Sequence, residues 1–236
     1  MERSSKHRNA AGQLYDRSLG HILPGSRLAG VLSCVALNSL VYWCTQALAA
    51  HRTLLDMTTA LDLKIPFDPR WVVIYVACFA YWAVSYVLMA RQDNWYSIMT
   101  GEVLAKLLCG AFFLLLPTTN VRPELSGTGF TTWLMGLIYR LDPPLDLFPS
   151  IHCMESWICF RGMLGQKAIP KWYQVFAGIF TALVCLSTLF TRQHVIADVI
   201  AGILLGEICL DVSRHWGWGK RLRGQYRQAV SGIERY

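Results

Sequence analysis

Apolar runs of about 17–23 residues recur along this chain, each close to the length one helix needs to cross a hydrocarbon core of ~30 Å. In lipid such a run must satisfy its own backbone hydrogen bonds, which confines it to a helix or a closed barrel. The stretches 28–50, 71–90, 172–190 and 195–212 carry few or no charges. Two others are more polar: 103–119 carries Lys106 and ends at Pro117, and 151–164 carries His152, Glu155 and Arg161. Counting both gives an even number of crossings and a consistent charge pattern on the loops. The expected fold is therefore all-α, a polytopic bundle of about six transmembrane helices. With 54% hydrophobic and only 16% charged residues, the 236-residue chain also lacks the polar surface that a soluble domain needs.

The charges sort by side. Arg3, Lys6, Arg8, Arg17 and Arg27 precede the first run, and Arg91 follows the second. Arg161, Lys167 and Lys171 follow the fourth, while Arg214, Lys220, Arg221, Arg223, Arg227 and Arg235 follow the last. The positive-inside rule then puts both termini in the cytoplasm of a multi-pass cell-membrane protein. On the opposite face Arg52, Lys64, Arg70, Arg122, Arg140 and Arg192 are largely balanced by Asp56, Asp62, Asp68, Glu124, Asp142 and Asp146. The net charge of +7 thus reflects topology, and no nucleic-acid partner is expected. The organisation read from this is a basic cytoplasmic segment 1–27, a membrane domain 28–212 and a basic cytoplasmic tail 213–236. Trp216 and Trp218 suit that tail to an interfacial anchor. The first 27 residues lack the apolar core of a secretory signal, so the first run serves as the targeting signal. The eight cysteines fall in the runs without CxxC spacing and read as packing residues.

Between the runs, Pro66 and Pro69 make 51–70 a compact connection. Residues 129–141 form an apolar, aromatic segment too short to cross, suited to lying at the membrane interface. Asp142-Pro143-Pro144 stops it, and Pro149-Ser150 opens the next helix with serine as a cap. Glu102 and Lys106 are spaced as a compensating helix pair. Glu155 is read as structural, and Glu207 and Asp211 as facing the bundle or the cytoplasmic interface.

Two polar islands remain, Phe-Pro-Ser-Ile-His at 148–152 and Thr-Arg-Gln-His-Val-Ile-Ala-Asp at 191–198. Ionisable groups at this depth are costly enough to suggest function. His194 and Asp198 are four apart and share a helix face. If the two helix ends adjoin, two histidines, a carboxylate and the Ser150 hydroxyl meet at the outer membrane surface, with arginines supplied by Arg122 and Arg192. That inventory suits phosphoryl transfer: one imidazole attacks phosphorus, a carboxylate holds its tautomer, and the other imidazole protonates the leaving oxygen. Guanidinium groups and free amides at helix N-termini hold the phosphate oxygens. Two histidines and a carboxylate could also bind zinc, but no HExxH-like spacing is present.

Pro149-Ser150-Ile151-His152 resembles the PSGH signature of the type-2 phosphatidic acid phosphatase superfamily. Ser187, His194 and Asp198 match the spacing of that family's SRxxxxxHxxxD, and Arg122-Pro123 matches the end of KxxxxxxRP. The resemblance covers roughly residues 100–210. It implies His194 as nucleophile, Asp198 as its orienting partner, His152 as general acid, and Ser150 and Arg122 as phosphate ligands, with no metal and no cofactor. Three family positions differ: the lysine falls on Leu115, the third-signature arginine on Thr188 and the PSGH glycine on Ile151. Arg192 and Lys106 are the candidate replacements for the two missing cations. This reduction resembles the branch that includes inositol phosphorylceramide and sphingomyelin synthases. The expected function is hydrolysis of a lipid phosphate monoester or diphosphate through a phosphohistidine, with transfer of a phosphoryl headgroup to another alcohol or lipid as the alternative. A non-catalytic lipid binder or transporter is the reading of another class. The expected partners are a lipid phosphate substrate and membrane lipids.

Overall fold

The computed structural model describes residues 25–233, with side chains from 27 to 225. Most of the expected N-terminal basic segment, residues 1–24, lies outside the described residues. In chain order the helices are α1 (Gly25–Ala49), α2 (Ala60–Lys64), α3 (Val72–Ala90), α4 (Trp95–Leu115), α5 (Phe130–Leu141), α6 (Ile151–Met163), α7 (Lys171–Phe190), α8 (Ile196–Trp216) and α9 (Trp218–Ile233). The only strands among the described residues, β1 (Leu55–Asp56) and β2 (Thr118–Thr119), form a two-residue parallel bridge. The protein is a helical membrane fold. Among the described residues four helices are long and apolar enough to cross a bilayer: α1, α3 with the turn before it, α4 and α7.

The remaining two bundle helices depart from the expected pattern. At 13 residues α6 is ~20 Å long, too short to span alone, and it is packed among α3, α4, α7 and α8. α8 is long enough but carries Asp198, Glu207, Asp211 and Arg214. The third run, by contrast, starts at Trp95 rather than 103 and is a span in its own right. The difference lies in how polar groups are placed. α8 turns Ile200, Leu204 and Ile208 outward and buries Gly202, Gly206, Cys209 and Leu210. Its Glu207 meets Arg161 at 2.6 Å and the Trp157 indole at 2.7 Å.

Inside the bundle Lys106 is enclosed by Glu102, by Glu155 at 3.4 Å, by the Cys34 carbonyl at 3.1 Å and by the Tyr86 hydroxyl. The Tyr86 hydroxyl in turn lies between the Glu102 and Glu155 carboxylates, with one hydrogen to share between them. A charge so far from water persists only with such partners. Lys106, a candidate for the missing family lysine, is thus held among core carboxylates and does not line the cavity that holds the histidines.

The segments expected on the outward side gather at one end of the bundle and lace together. The Asp68 amide donates to Phe190 O at 3.0 Å, Asn120 to Arg192 O at 3.0 Å, and the Tyr139 hydroxyl to Thr191 O at 2.7 Å. The short helix expected over 129–141 forms as α5: Met135 is its buried residue, while Phe130 and Trp133 stack on each other and stay exposed. At the opposite end the tail continues as α9, packed against α4.

Candidate active site

The starts of α6 and α8 lie side by side because α8 has glycines where it crosses α6. A Cβ built on Gly202 would lie 2.5 Å from Ser150 O and 3.2 Å from Met154 N. One turn on, Gly206 lies against Met154 O. Small residues four apart permit such backbone approach in membrane helices. A direct hydrogen bond from Ser150 N to Asp198 O, 3.0 Å, couples the two helix ends. Ser150 caps α6, its hydroxyl accepting from Cys153 N at 3.3 Å. The amides of Ile151 and His152, in the first turn, have no intrahelical acceptor.

α7 hands over to α8 through a tight turn in which the Thr188 carbonyl accepts from both Gln193 N (2.9 Å) and His194 N (3.1 Å). His194 Nδ1 is 3.2 Å from Asp198 Oδ2, and the same oxygen accepts from Val195 N at 3.0 Å. With the carboxylate as acceptor, the hydrogen is assigned to Nδ1, leaving the Nε2 lone pair free. The ring centroid of His152 is 5.8 Å from that of His194. His152 sits in an aromatic setting, 4.5 Å from Tyr75 and 5.5 Å from Trp82. The structure thus brings together His152, His194, Asp198 and the Ser150 cap.

The two arginines are placed differently. Arg122 donates to Asp142 O at 2.6 Å and to the Gln193 side-chain oxygen, with its guanidinium 4.6 Å from the Tyr139 ring. Burial pulls its pKa below the ordinary value, while Asp142 and nearby phenols push the other way. Its Nε and the Gln193 Nε2 are buried donors without a partner among the described residues. They suit an anion, which makes Gln193 a candidate site residue that nothing in the sequence spacing singled out. Arg192, expected beside the phosphate, instead donates to the carbonyls of Asp62 and Ile65, each at 2.6 Å. Its backbone φ of 54° turns the side chain to that loop, away from the histidines. Thr188, at the family arginine position, is fully buried and its hydroxyl donates to Cys185 O. Leu115, at the lysine position, is 80% exposed on the outside of the bundle.

Both histidines open onto a cavity of about 370 Å³ whose walls come from α1, α3, α4, α5, α6 and the loop 142–147. Trp43, Phe79 and Leu141 line it and are exposed on the bundle surface, so its mouth opens sideways between α1, α3 and α5. Neither Arg122 nor Arg192 is among its lining residues. Asp142 is held at its edge by the hydroxyls of Tyr42 (2.6 Å) and Tyr75 (3.1 Å). Among the described residues, no three His, Cys, Asp or Glu side chains group as a metal site.

Comparison with curated proteins and with solved structures gave no significant match. The family model of the PAP2 superfamily matches residues 122–222, the stretch that carries Arg122, Ser150, His152, His194 and Asp198. Over that stretch the chain is similar to the PAP2 superfamily, whose members are phosphoric ester hydrolases or transferases.

Proposed function

We propose that the protein is a metal-independent membrane phosphatase acting on a lipid phosphate monoester or diphosphate, with its site on the outer face of a cell membrane and both termini in the cytoplasm. The observation that carries the reading is the His194–Asp198 pair facing His152 in the wall of a laterally open cavity. A lipid entering between α1, α3 and α5 keeps its chains in hydrocarbon and brings its phosphate to the helix ends.

His194 Nε2 attacks phosphorus as the ester P–O bond breaks, and the proton carried by His152 goes to the departing oxygen. The phosphorylated imidazole is cationic, and Asp198 stabilises it through the Nδ1 hydrogen. In the second half, water attacks phosphorus while neutral His152 takes its proton, and the P–N bond breaks to release inorganic phosphate. Arg122, Gln193 and the first amides of α6 supply donors for the phosphate oxygens.

If an alcohol in the cavity replaces water, the same intermediate yields a new phosphate ester. The largely apolar lining favours that second reading. The test is a panel of lipid phosphates assayed for released phosphate and for new lipid products. His194→Ala should abolish both, and undiminished turnover would overturn the nucleophile assignment. Full turnover is expected in excess chelator.

A further inference from the structure

The cavity beside His152 and His194 has an electrostatic character that phosphate binding does not explain. Its walls present the rings of Tyr42, Trp43, Tyr75, Phe79, Trp82 and Phe113, with two carboxylates, Asp142 and Asp146, and no lysine or arginine. Asp142 is already held by two tyrosine hydroxyls, as described. Asp146 is not: it is 6% exposed, and neither carboxylate oxygen has a hydrogen-bond partner among the described residues. The nearby Thr45 hydroxyl donates to the Val41 and Tyr42 carbonyls instead. The cation that acts on Asp146 from outside, Arg52, is exposed and bonds the Leu114 carbonyl. Asn38 Oδ1, also on the wall, is a third buried acceptor without a partner.

A buried carboxylate without a partner is costly and calls for a positive charge or a proton. Burial does push the Asp146 carboxyl up from its ordinary range. Unmatched donors lie on Arg122 and its partner Gln193, and an unmatched acceptor, Asp198 Oδ1, lies on the carboxylate that bonds His194, whereas the unmatched atoms on the cavity wall are all acceptors. A ligand that fills both carries an anion and a cation on one short alkyl frame. Aromatic faces around an acid are also the surroundings that attract an alkylammonium ion through the ring quadrupole.

We propose that this cavity is an alkylammonium subsite, and that the substrate class is the phosphate ester of an amino alcohol, its phosphate at His194 and its ammonium at Asp146. This deepens the proposed function and rests on it for the position of the phosphate alone. The ammonium has two possible sources, the primary amine of a sphingoid-base phosphate or the headgroup of a zwitterionic phospholipid. A second phosphate in place of the ammonium would meet the carboxylates, so a diphosphate is disfavoured.

The experiment uses the full chain in a neutral maltoside detergent. Binding of choline and of ethanolamine is compared with that of 3,3-dimethyl-1-butanol, the uncharged isostere of choline, for wild type, His194→Ala, Asp146→Asn and Asp142→Asn. Either ammonium should bind at least about tenfold more tightly than the isostere. His194→Ala should keep that preference, and Asp146→Asn should remove it. The comparison on wild type needs no variant to fold. Equal binding of isostere and ammonium, or preference retained in Asp146→Asn, overturns the proposal. Turnover of a sphingoid-base phosphate, a phosphocholine lipid and phosphatidate then identifies the source, and fastest turnover of phosphatidate also overturns it. Loss of ammonium preference with turnover still dependent on His194 refutes the subsite alone, while turnover independent of His194 refutes the proposed chemistry.

Discussion

Adding a single methyl group at Gly202 should separate the two halves of the site. An alanine Cβ there would lie 2.5 Å from the Ser150 carbonyl oxygen, short of ordinary contact by about 0.9 Å. The obstacle is backbone at the start of α6, so no side chain can rotate out of the way. α6 must withdraw from α8 by most of that distance, stretching the 3.0 Å Ser150–Asp198 hydrogen bond and carrying His152 away from His194. A misplacement of about 1 Å between reacting groups costs on the order of 10²-fold in rate. Overpacking itself destabilises by about 1–3 kcal/mol. Gly206 provides the internal comparison, since its Cβ would come no closer than 3.3 Å to any neighbour. Phosphate release by purified Gly202→Ala should fall about a hundredfold in kcat, with a lowered thermal midpoint, whereas Gly206→Ala stays near wild type. If Gly202→Ala turns over like wild type, or if Gly206→Ala is equally impaired, the helix contact does not set the histidine geometry.

Asp198→Asn should lower kcat by on the order of 10³–10⁴-fold with little change in KM, because the neutral amide cannot stabilise a cationic imidazole and its NH2, turned to His194 Nδ1, holds the wrong tautomer. Lys106→Met should destabilise the protein by about 3–5 kcal/mol in chemical unfolding, by leaving Glu102 and Glu155 without their cation, while KM for lipid phosphate holds; a raised KM would return Lys106 to the phosphate. Asp62 caps α2 and accepts from Ile196 N at 2.7 Å. Burial raises its pKa, but hydrogen bonds from Thr59 and Ile196 and the charge of Arg192 outweigh that, so the net shift is downward. The stabilisation from Asp62 is therefore complete above the unfolded carboxylate pKa of about 4 and is lost as pH falls through the lower folded value. Asp62→Asn should lower the thermal midpoint at neutral pH and flatten the acid limb of the stability profile; an unchanged acid limb would refute the shift.

What the sequence disclosed depended on how local each feature is. The His194–Asp198 pair is one helical turn, and the Ser150 cap is one residue before its helix, so spacing alone found both. The direction of Arg192 was hidden although it lies two residues from His194, because a positive φ at that residue turns its side chain toward Asp62 and Ile65. Hydropathy likewise does not show how the polar groups of 103–119, 151–164 and 195–212 are matched. It counts polar residues without knowing that Glu207 meets Arg161 or that Lys106 lies between two carboxylates. The glycines at 202 and 206 were visible as a spacing, but not the backbone they press against. Tyr42, Tyr75 and Asp142 meet across 67 and 100 residues of sequence, and no local pattern announces such a contact.

The cavity wall has a further consequence for how such a protein changes over time. Tyr42, Trp43, Tyr75, Phe79 and Trp82 all precede residue 122, where the family match begins. His152, His194, Asp198 and the Ser150 cap all follow it. The aromatic part of the wall and the histidines thus lie on separate stretches of the chain, joined in space by one shared pocket, while the carboxylates of the wall, Asp142 and Asp146, lie inside the family match. Replacing α1 and α3 as a block would change the aromatic wall while leaving His194, Asp198 and the wall carboxylates in place. Two relatives with identical signatures can therefore diverge in diet without touching their machinery.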